Sequence, residues 1–333
     1  MKVLYVGGTG EISYECVRRD VELGRDVAVF NRGANDEPLP QGVRHIRGDL
    51  SDDAAYAALG REDWDVVCQF LVYDIGRARR DAEVFAGRCG QYVFISSASA
   101  YRKPVQGYVI TEQTPLENPY WPYSRAKIEI EQFLQAEHRA GRLPVTVVRP
   151  SHTYRRHLPS GIAGGDDWAW RMRNHRPVIV HGDGTSLWTL TRSSDFAVPF
   201  CNLLGHRAAV GEAFHITRHM EGFTWNEITA AMGRALGVEP VVVHVPTETL
   251  CRYRPDWAGP LLGDKTWSVL FDNAKVMSVA GAFECKVGLD EGMGLAAEHC
   301  RRRAAAFRPN EQLHALLDRI AADQQALGGP AAS

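Results

Sequence analysis

No run of apolar residues in this chain reaches the roughly 18 that a membrane-spanning helix needs. Nor is either charge in excess: 38 Lys and Arg stand against 40 Asp and Glu, a formal net charge of −2. Proteins that hold nucleic acid or an anionic membrane through their surface field carry a basic surplus, so neither partner is expected. The 7 cysteines (Cys16, Cys68, Cys89, Cys201, Cys251, Cys285 and Cys300) are odd in number and include no C-x-x-C pair. That argues against a disulfide framework and a structural zinc site, and for reduced thiols in the cytoplasm. The 12 histidines show no chelating spacing on a helix. His215 and His219 are four apart in what reads as a strand, where side chains on one face lie too far apart to share an ion. No metal is expected. The opening Met1-Lys2-Val3-Leu4-Tyr5-Val6-Gly7 turns glycine-rich too soon for a secretory leader, again pointing to the cytoplasm.

What is present is an ordinary globular composition, 45% hydrophobic and 23% charged, in a chain of 333 residues long enough for two domains or one domain with a lobe. The N-terminal half alternates short β-rich runs with helical stretches. Strands are expected at Lys2–Val6, Asp26–Phe30, near Val43 to Gly48, Val66–Leu71, Tyr92–Ser96 and Val145–Arg149. Helices are expected at Ile12–Leu23, Asp53–Leu59, Arg77–Arg88 and Ser124–Ala140. Such alternation predicts an α/β, doubly wound parallel sheet of the Rossmann kind. After Arg149-Pro150 the chain is rich in Gly, His, Arg and Trp and reads as loops with one helix around Asp167–Asn174. A strand near Phe214–Thr217, a helix at Thr224–Leu236, a strand at Val241–Val245 and an amphipathic helix at Glu311–Leu327 follow. These describe a smaller C-terminal α/β lobe over the ligand end of the sheet. The expected division is a dinucleotide domain at 1–151, with return segments about 189–218 and 264–277. The lobe takes 152–188, 219–263 and 278–330.

Chemistry concentrates at three places. Gly7-Gly8-Thr9-Gly10-Glu11-Ile12-Ser13 lies between the first strand and the first helix, where glycines let the backbone approach a pyrophosphate seated on the helix N-terminus. Asn31-Arg32 ends the second strand with a cation where an NAD enzyme usually places an acid, which favours the extra phosphate of NADP, with NAD the alternative. Asp49-Leu50, after the third strand, is placed for the adenine side, although Asp49 also suits a helix cap. Finally, Ser96-Ser97-Ala98-Ser99 precedes Tyr123-Ser124-Arg125-Ala126-Lys127. Tyr123 and Lys127 share one helix face. An ammonium beside a phenol is expected to lower the phenol's pKa, readying it to exchange a proton with a carbinol while hydride moves to or from a nicotinamide.

With these motifs in order, the chain resembles the extended branch of the short-chain dehydrogenase/reductase superfamily, the NAD-dependent epimerase/dehydratase family, over about residues 1–300. Arg149-Pro150, Gly182-Asp183-Gly184, Asp195-Phe196-Ala197 and Asp272-Asn273-Ala274-Lys275 also fall in family order. The resemblance implies that Ser97 polarises the substrate oxygen, Tyr123 is the acid/base, and Lys127 holds the nicotinamide ribose. It implies cofactor contacts from Gly7, Thr9, Gly10, Glu11, Ile12, Asn31, Arg32, Asp49, Leu50, Phe70, Leu71, Ser96, Tyr123, Lys127, Pro150 and His152. Ser99, His152 and Trp188 are the expected substrate residues, and a homodimer through the helices at Arg77–Arg88 and Ser124–Ala140 is implied.

Three departures matter. Ser13 replaces the third glycine, and Glu11 stands where the family carries an apolar residue. Ala98-Ser99 replaces the acid pair of sugar dehydratases, which disfavours dehydration. Trp188 stands where nucleotide-sugar enzymes place an arginine for the diphosphate. The reading is NAD(P)-dependent carbinol oxidoreduction on a small sugar-like molecule, foremost an epimerase working through a keto intermediate. The alternatives are an NADP-dependent reductase or dehydrogenase and a non-catalytic NAD(P)- or RNA-binding relative.

Overall fold

The computed structural model describes residues 1–34 and 37–327. Seven strands form one sheet: β1 (Lys2–Val6), β2 (Asp26–Asn31), β3 (Arg44–Arg47), β4 (Trp64–Gln69), β5 (Cys89–Ile95), β6 (Val145–Pro150) and β7 (Ala213–Ile216). All pairings are parallel, in the order β7-β6-β5-β4-β1-β2-β3. The strands are apolar on both sides because both faces are covered. Val3 and Tyr5 enter one core with Val17, Phe196 and Phe200, while Leu4 and Val6 enter the opposite core with Tyr56, Phe85, Ile130 and Leu134. Helix α1 (Ser13–Glu22) lies on the first face, and α2 (Asp53–Ala57), α3 (Ile75–Phe85) and α4 (Pro122–Arg139) on the second.

The chain builds outward from β1 to β2 and β3, then crosses back to place β4 on β1's other side. That reversal opens a crevice at the carboxyl ends of β1 and β4, the place where doubly wound sheets bind ligands. The strand expected at Val66–Leu71 leaves the sheet after Gln69, which frees Phe70 and Leu71 to turn over the crevice. The strand expected at Phe214–Thr217 is β7, the sheet's edge.

A third core joins Trp168, Met172, Trp188, Trp225, Met232, Leu261, Met293 and Leu317 from the C-terminal half. Its strand Val178–His181, parallel to Val242–Val245, lies in a stretch read from sequence as loop. The helices Ser193–Leu203 and Leu289–Arg303 escaped the sequence pattern because Pro199 and the glycines 292 and 294 break it. Packing overrides propensity there. A Cβ on Gly292 would meet the Tyr154 hydroxyl at 1.9 Å, so only glycine permits that helix to approach. On α4, Phe133 packs into the chain's own core, and Ile128 lines a shallow groove with Pro119, Arg125 and Gln132.

Candidate active site

The crevice is a cleft of about 930 Å³ that begins at the glycine turn and ends at Tyr123. Gly7 and Gly8 have φ of 117° and 79°, in the region that favours glycine, and a Cβ on Gly8 would strike Val29 at 2.7 Å. Gly10 N–H donates to Ser13 Oγ at 3.0 Å, so the serine at the third glycine position fastens the turn to α1. Among the described residues no side chain caps the N-terminus of α1, which leaves donors at the cleft for an anion. Ser96, buried at the far end of the same cleft, has a hydroxyl without a partner among the described residues. An uncapped helix end at one extremity and an orphaned hydroxyl at the other fit a dinucleotide laid between them.

Of the expected cofactor residues, Gly7, Thr9, Gly10, Glu11, Ile12, Asn31, Arg32, Asp49, Leu50, Phe70, Leu71, Ser96, Tyr123, Lys127 and Pro150 all line the cleft. His152 does not; its neighbour Ser151 does. The Asn31 side chain is engaged locally, donating to Gly7 O at 2.9 Å and accepting from Gly33 N–H at 2.8 Å. Arg32 is exposed at the mouth. Asp49 is not a helix cap: Asp52 caps α2, while Asp49 turns onto Ser51, whose backbone and hydroxyl bonds lower its pKa.

Glu11, whose role is obscure in sequence, is a tether. Its Oε2 accepts from the backbone N–H groups of Arg155, Arg156 and His157 at 2.9, 2.8 and 3.3 Å. Its Oε1 meets Arg156 Nε at 3.2 Å and His157 Nδ1 at 3.0 Å. Burial alone would raise this carboxyl, but those bonds hold it well below the usual glutamate range. Glu37 repeats the motif from the loop after β2, pairing with Arg155 and with Arg156. The segment after β6 is thereby strapped across the glycine turn, and Arg156 lines the cleft. The acid's charge is neutralised before it can face a pyrophosphate.

At the inner end, Lys127 is 2% exposed and donates to Val72 O at 2.7 Å and Ile95 O at 2.8 Å. Burial draws its pKa down to about 7. Tyr123 is pushed up to about 12, by burial first and Tyr73 second, with Ser97 as the hydrogen-bond partner pulling it back. The expected lowering of the phenol is therefore not what the structure shows. Desolvation penalises both charged forms, and the ammonium, 5.8 Å from the phenol ring centroid, is directed at two carbonyls. Ser97 Oγ is held by Ser99 Oγ at 2.9 Å, which accepts in turn from Ser124 Oγ at 2.7 Å. Ser99 is thus a support for Ser97 rather than a cleft residue. Beneath them, Arg149 pairs with Glu131 at 2.6 Å and donates to the Tyr101 hydroxyl at 3.1 Å, which also faces His215 at 3.1 Å.

His152 and Trp188 come together, but away from the cleft. Trp188 Nε1 donates to His152 Nδ1 at 3.0 Å, its ring stacks on Trp225 at 5.7 Å, and it is 2% exposed. Burial pulls His152 down to about 3, so it is the neutral acceptor. Among the described residues no group of His, Cys, Asp or Glu is arranged to hold a metal, and no helix is long and apolar enough to cross a membrane.

A family model described as NAD dependent epimerase/dehydratase family matches residues 3–217. Among curated proteins, 2'-dehydrokanamycin reductase of Streptomyces kanamyceticus is 27% identical over 292 residues, 86% of this chain and 81% of that protein. A chloroplast stem-loop binding protein of 41 kDa from Arabidopsis thaliana is 29% identical over 267 residues, 73% of this chain and 65% of that protein. Among solved structures, the UDP-glucose 4-epimerase of Thermus thermophilus in complex with NAD superposes with a TM-score of 0.72 at 24% identity, covering 90% of this chain and 99% of that one. At that identity the likeness speaks for the fold.

Two outcomes follow from the charges. Glu11→Gln should lower stability by about 1.5–3 kcal/mol, the worth of hydrogen bonds to a charged group, and loosen dinucleotide binding. Because the folded-state pKa is depressed, the gap from wild type should be constant above about pH 5 and shrink as pH falls further, in acid-dependent melting curves. For Lys127 the sign is opposite. Between its folded value of about 7 and the unfolded value of about 10.4 the unfolded chain binds the extra proton. Wild type should therefore gain stability over Lys127→Met as pH rises through that window. A gap flat in pH would contradict the buried ammonium.

Proposed function

This chain belongs to the NAD dependent epimerase/dehydratase family, and we propose that it interconverts a carbinol and a ketone on a sugar-like molecule that carries no nucleoside diphosphate. The observation that carries the reading is the convergence of Ser97, Tyr123 and Lys127 at the inner end of the dinucleotide cleft. A nicotinamide dinucleotide held along this cleft would supply or accept hydride. Ser97 donates a hydrogen bond to the substrate oxygen, and Tyr123 passes it the proton. Lys127 fixes the nicotinamide ribose while its two carbonyl bonds hold it in place.

Net reduction is the favoured direction. Tyr123, protonated at neutral pH, can give its proton to the ketone oxygen as that oxygen takes up negative charge. The curated reductase relative supports the same direction. Against a diphosphate stands the engagement of the nearby arginines. Arg155 binds Glu37, Arg171 binds Asp318 and Pro177 O, and Arg192 binds the Arg155 carbonyl. Arg32 at the cleft mouth supports NADP over NAD.

Tyr123→Phe should keep dinucleotide affinity and lose about two to four decades of turnover, read as accumulation of oxidised cofactor with a ketosugar. Near wild-type turnover would overturn the mechanism, and turnover without net cofactor change would mark an epimerase. Arg32→Ala should weaken NADP by about one to two decades and leave NAD unchanged in paired titrations, the loss of a charge-assisted phosphate contact. Equal loss for both cofactors would remove Arg32 from phosphate recognition.

A further inference from the structure

The segment Leu261–Lys265 winds as one π-helical turn beside the Tyr123 helix. Such turns are rare and recur at functional sites. This one is pinned from outside. Asn118 Nδ2 donates to Gly263 O at 2.7 Å and to Ser99 O at 2.8 Å, tying the turn to the Ser97 support. His181 Nε2 and Trp225 Nε1 meet Lys265 O at 3.0 and 3.2 Å. A Cβ on Gly263 would lie 2.9 Å from Trp121 Cβ, so the turn is pressed against Trp121, whose ring packs on Tyr123. The turn that carries Asp264 and Lys265 thus lies against Trp121 and Asn118, the neighbours of Tyr123 and of the Ser97 support.

Their bonding is incomplete. The Asp264 carboxylate meets Lys265 Nζ at 3.7 Å, beyond hydrogen-bond reach, with both side chains largely buried. Lys103 comes from the loop after Ser97–Ser99. It is 4% exposed, and among the described residues its ammonium makes one hydrogen bond, to Tyr101 O at 3.4 Å. Lys103 N–H donates to Glu117 O at 2.9 Å, and the next residue, Asn118, holds Gly263 O, so the Lys103 loop runs alongside the Asp264 turn, and Asp264 acts electrostatically on both Lys103 and Tyr123. Buried charges with unused bonding capacity are costly unless a ligand completes them.

Resting on the oxidoreductase reading above, we propose that Asp264, Lys103 and Lys265 form the specificity floor of the substrate site and recognise vicinal hydroxyls of a neutral sugar or cyclitol ring. A carboxylate accepts only and an ammonium donates only, so the partner that satisfies all three must do both, and a hydroxyl does. An amino sugar would bring its ammonium against two lysines. A diphosphate could pair with the two lysines but would leave Asp264 without a donor and in repulsion with it. The Trp121 ring beside the cluster suits the apolar face of a sugar ring.

The test is calorimetry on the cofactor-saturated protein with methyl glucoside and myo-inositol as neutral probes, glucosamine as cation and UDP as anion. At least one neutral probe should bind. Asp264→Asn and Lys103→Met should each weaken it about tenfold to a hundredfold, with NADP affinity unchanged. Melting curves establish that each variant is folded, and Lys265→Met serves if one is not. Binding unaltered in the folded variants, tighter binding of glucosamine or UDP, or no neutral binding to cofactor-loaded protein would each overturn the proposal. The oxidoreductase reading fails in a different way: the neutral probes bind and the variants weaken them, yet Tyr123→Phe changes no turnover.

Discussion

An ammonium buried to 2% exposure is the constraint around which the cleft is built. Two backbone carbonyls, Val72 O and Ile95 O, accept from Lys127, and the Phe94 and Tyr73 rings each lie 4.8 Å away, which offsets part of the cost of burying its charge. Those carbonyls lie just beyond β4 and at the end of β5, on strands adjacent in the sheet. Helix α4 must therefore lie at one height over the sheet, which fixes Tyr123 one turn earlier. On the other side of Lys127 stands Glu131, itself paired with Arg149 at the end of β6. Three strand ends and one helix are thus tied through a single chain of charges, and a shift of any one would strand a buried ion.

Tethering by carboxylate is used a second time at the cofactor's other end. An apolar residue at position 11 would leave the segment after β6 to pack by shape alone. A glutamate there collects three backbone N–H groups and two cationic side chains, and Glu37 adds a second anchor. The cationic Arg156 is held at the cleft without being free to swing away. Two acids that look unfavourable for a polyanionic ligand act instead as fasteners for the cations around it.

How much of this was legible in the sequence depends on how local each feature is. The glycine turn, the six expected strands of the sheet and the Tyr123–Lys127 pair are written in neighbouring residues, and the structure places them at one cleft. Lys127's carbonyl partners and the resulting rise, not fall, of the Tyr123 pKa depend on burial, which spacing does not reveal. Glu11 reads as an anomaly because its partners lie more than a hundred positions later. Asp264 and Lys265 carry no motif, and only a π-turn buttressed by Asn118, His181 and Trp225 sets them against Trp121. Trp188 and His152 stand where the family resemblance implies ligand contacts, but the lobe core claims the indole and the indole claims the imidazole.

The two ends of the molecule therefore differ in electrostatic logic. At the dinucleotide end Glu11 and Glu37 are already matched by cations, so an incoming phosphate meets donors that need no rearrangement, and preorganised donors bind anions best. Toward the substrate the charges are fewer, deeper and left incompletely bonded, while the indole of Trp121 supplies an apolar wall. An anionic tail could pair with Lys103 and Lys265, but it would be opposed by Asp264 and would leave that carboxylate without a donor, while the nearest arginines are engaged in the fold. A hydroxylated ring gains from every one of those groups. Selectivity for a neutral polyol over a charged one thus arises from the order in which the fold satisfies its own ions, completing them around the cofactor and leaving them open beside Tyr123.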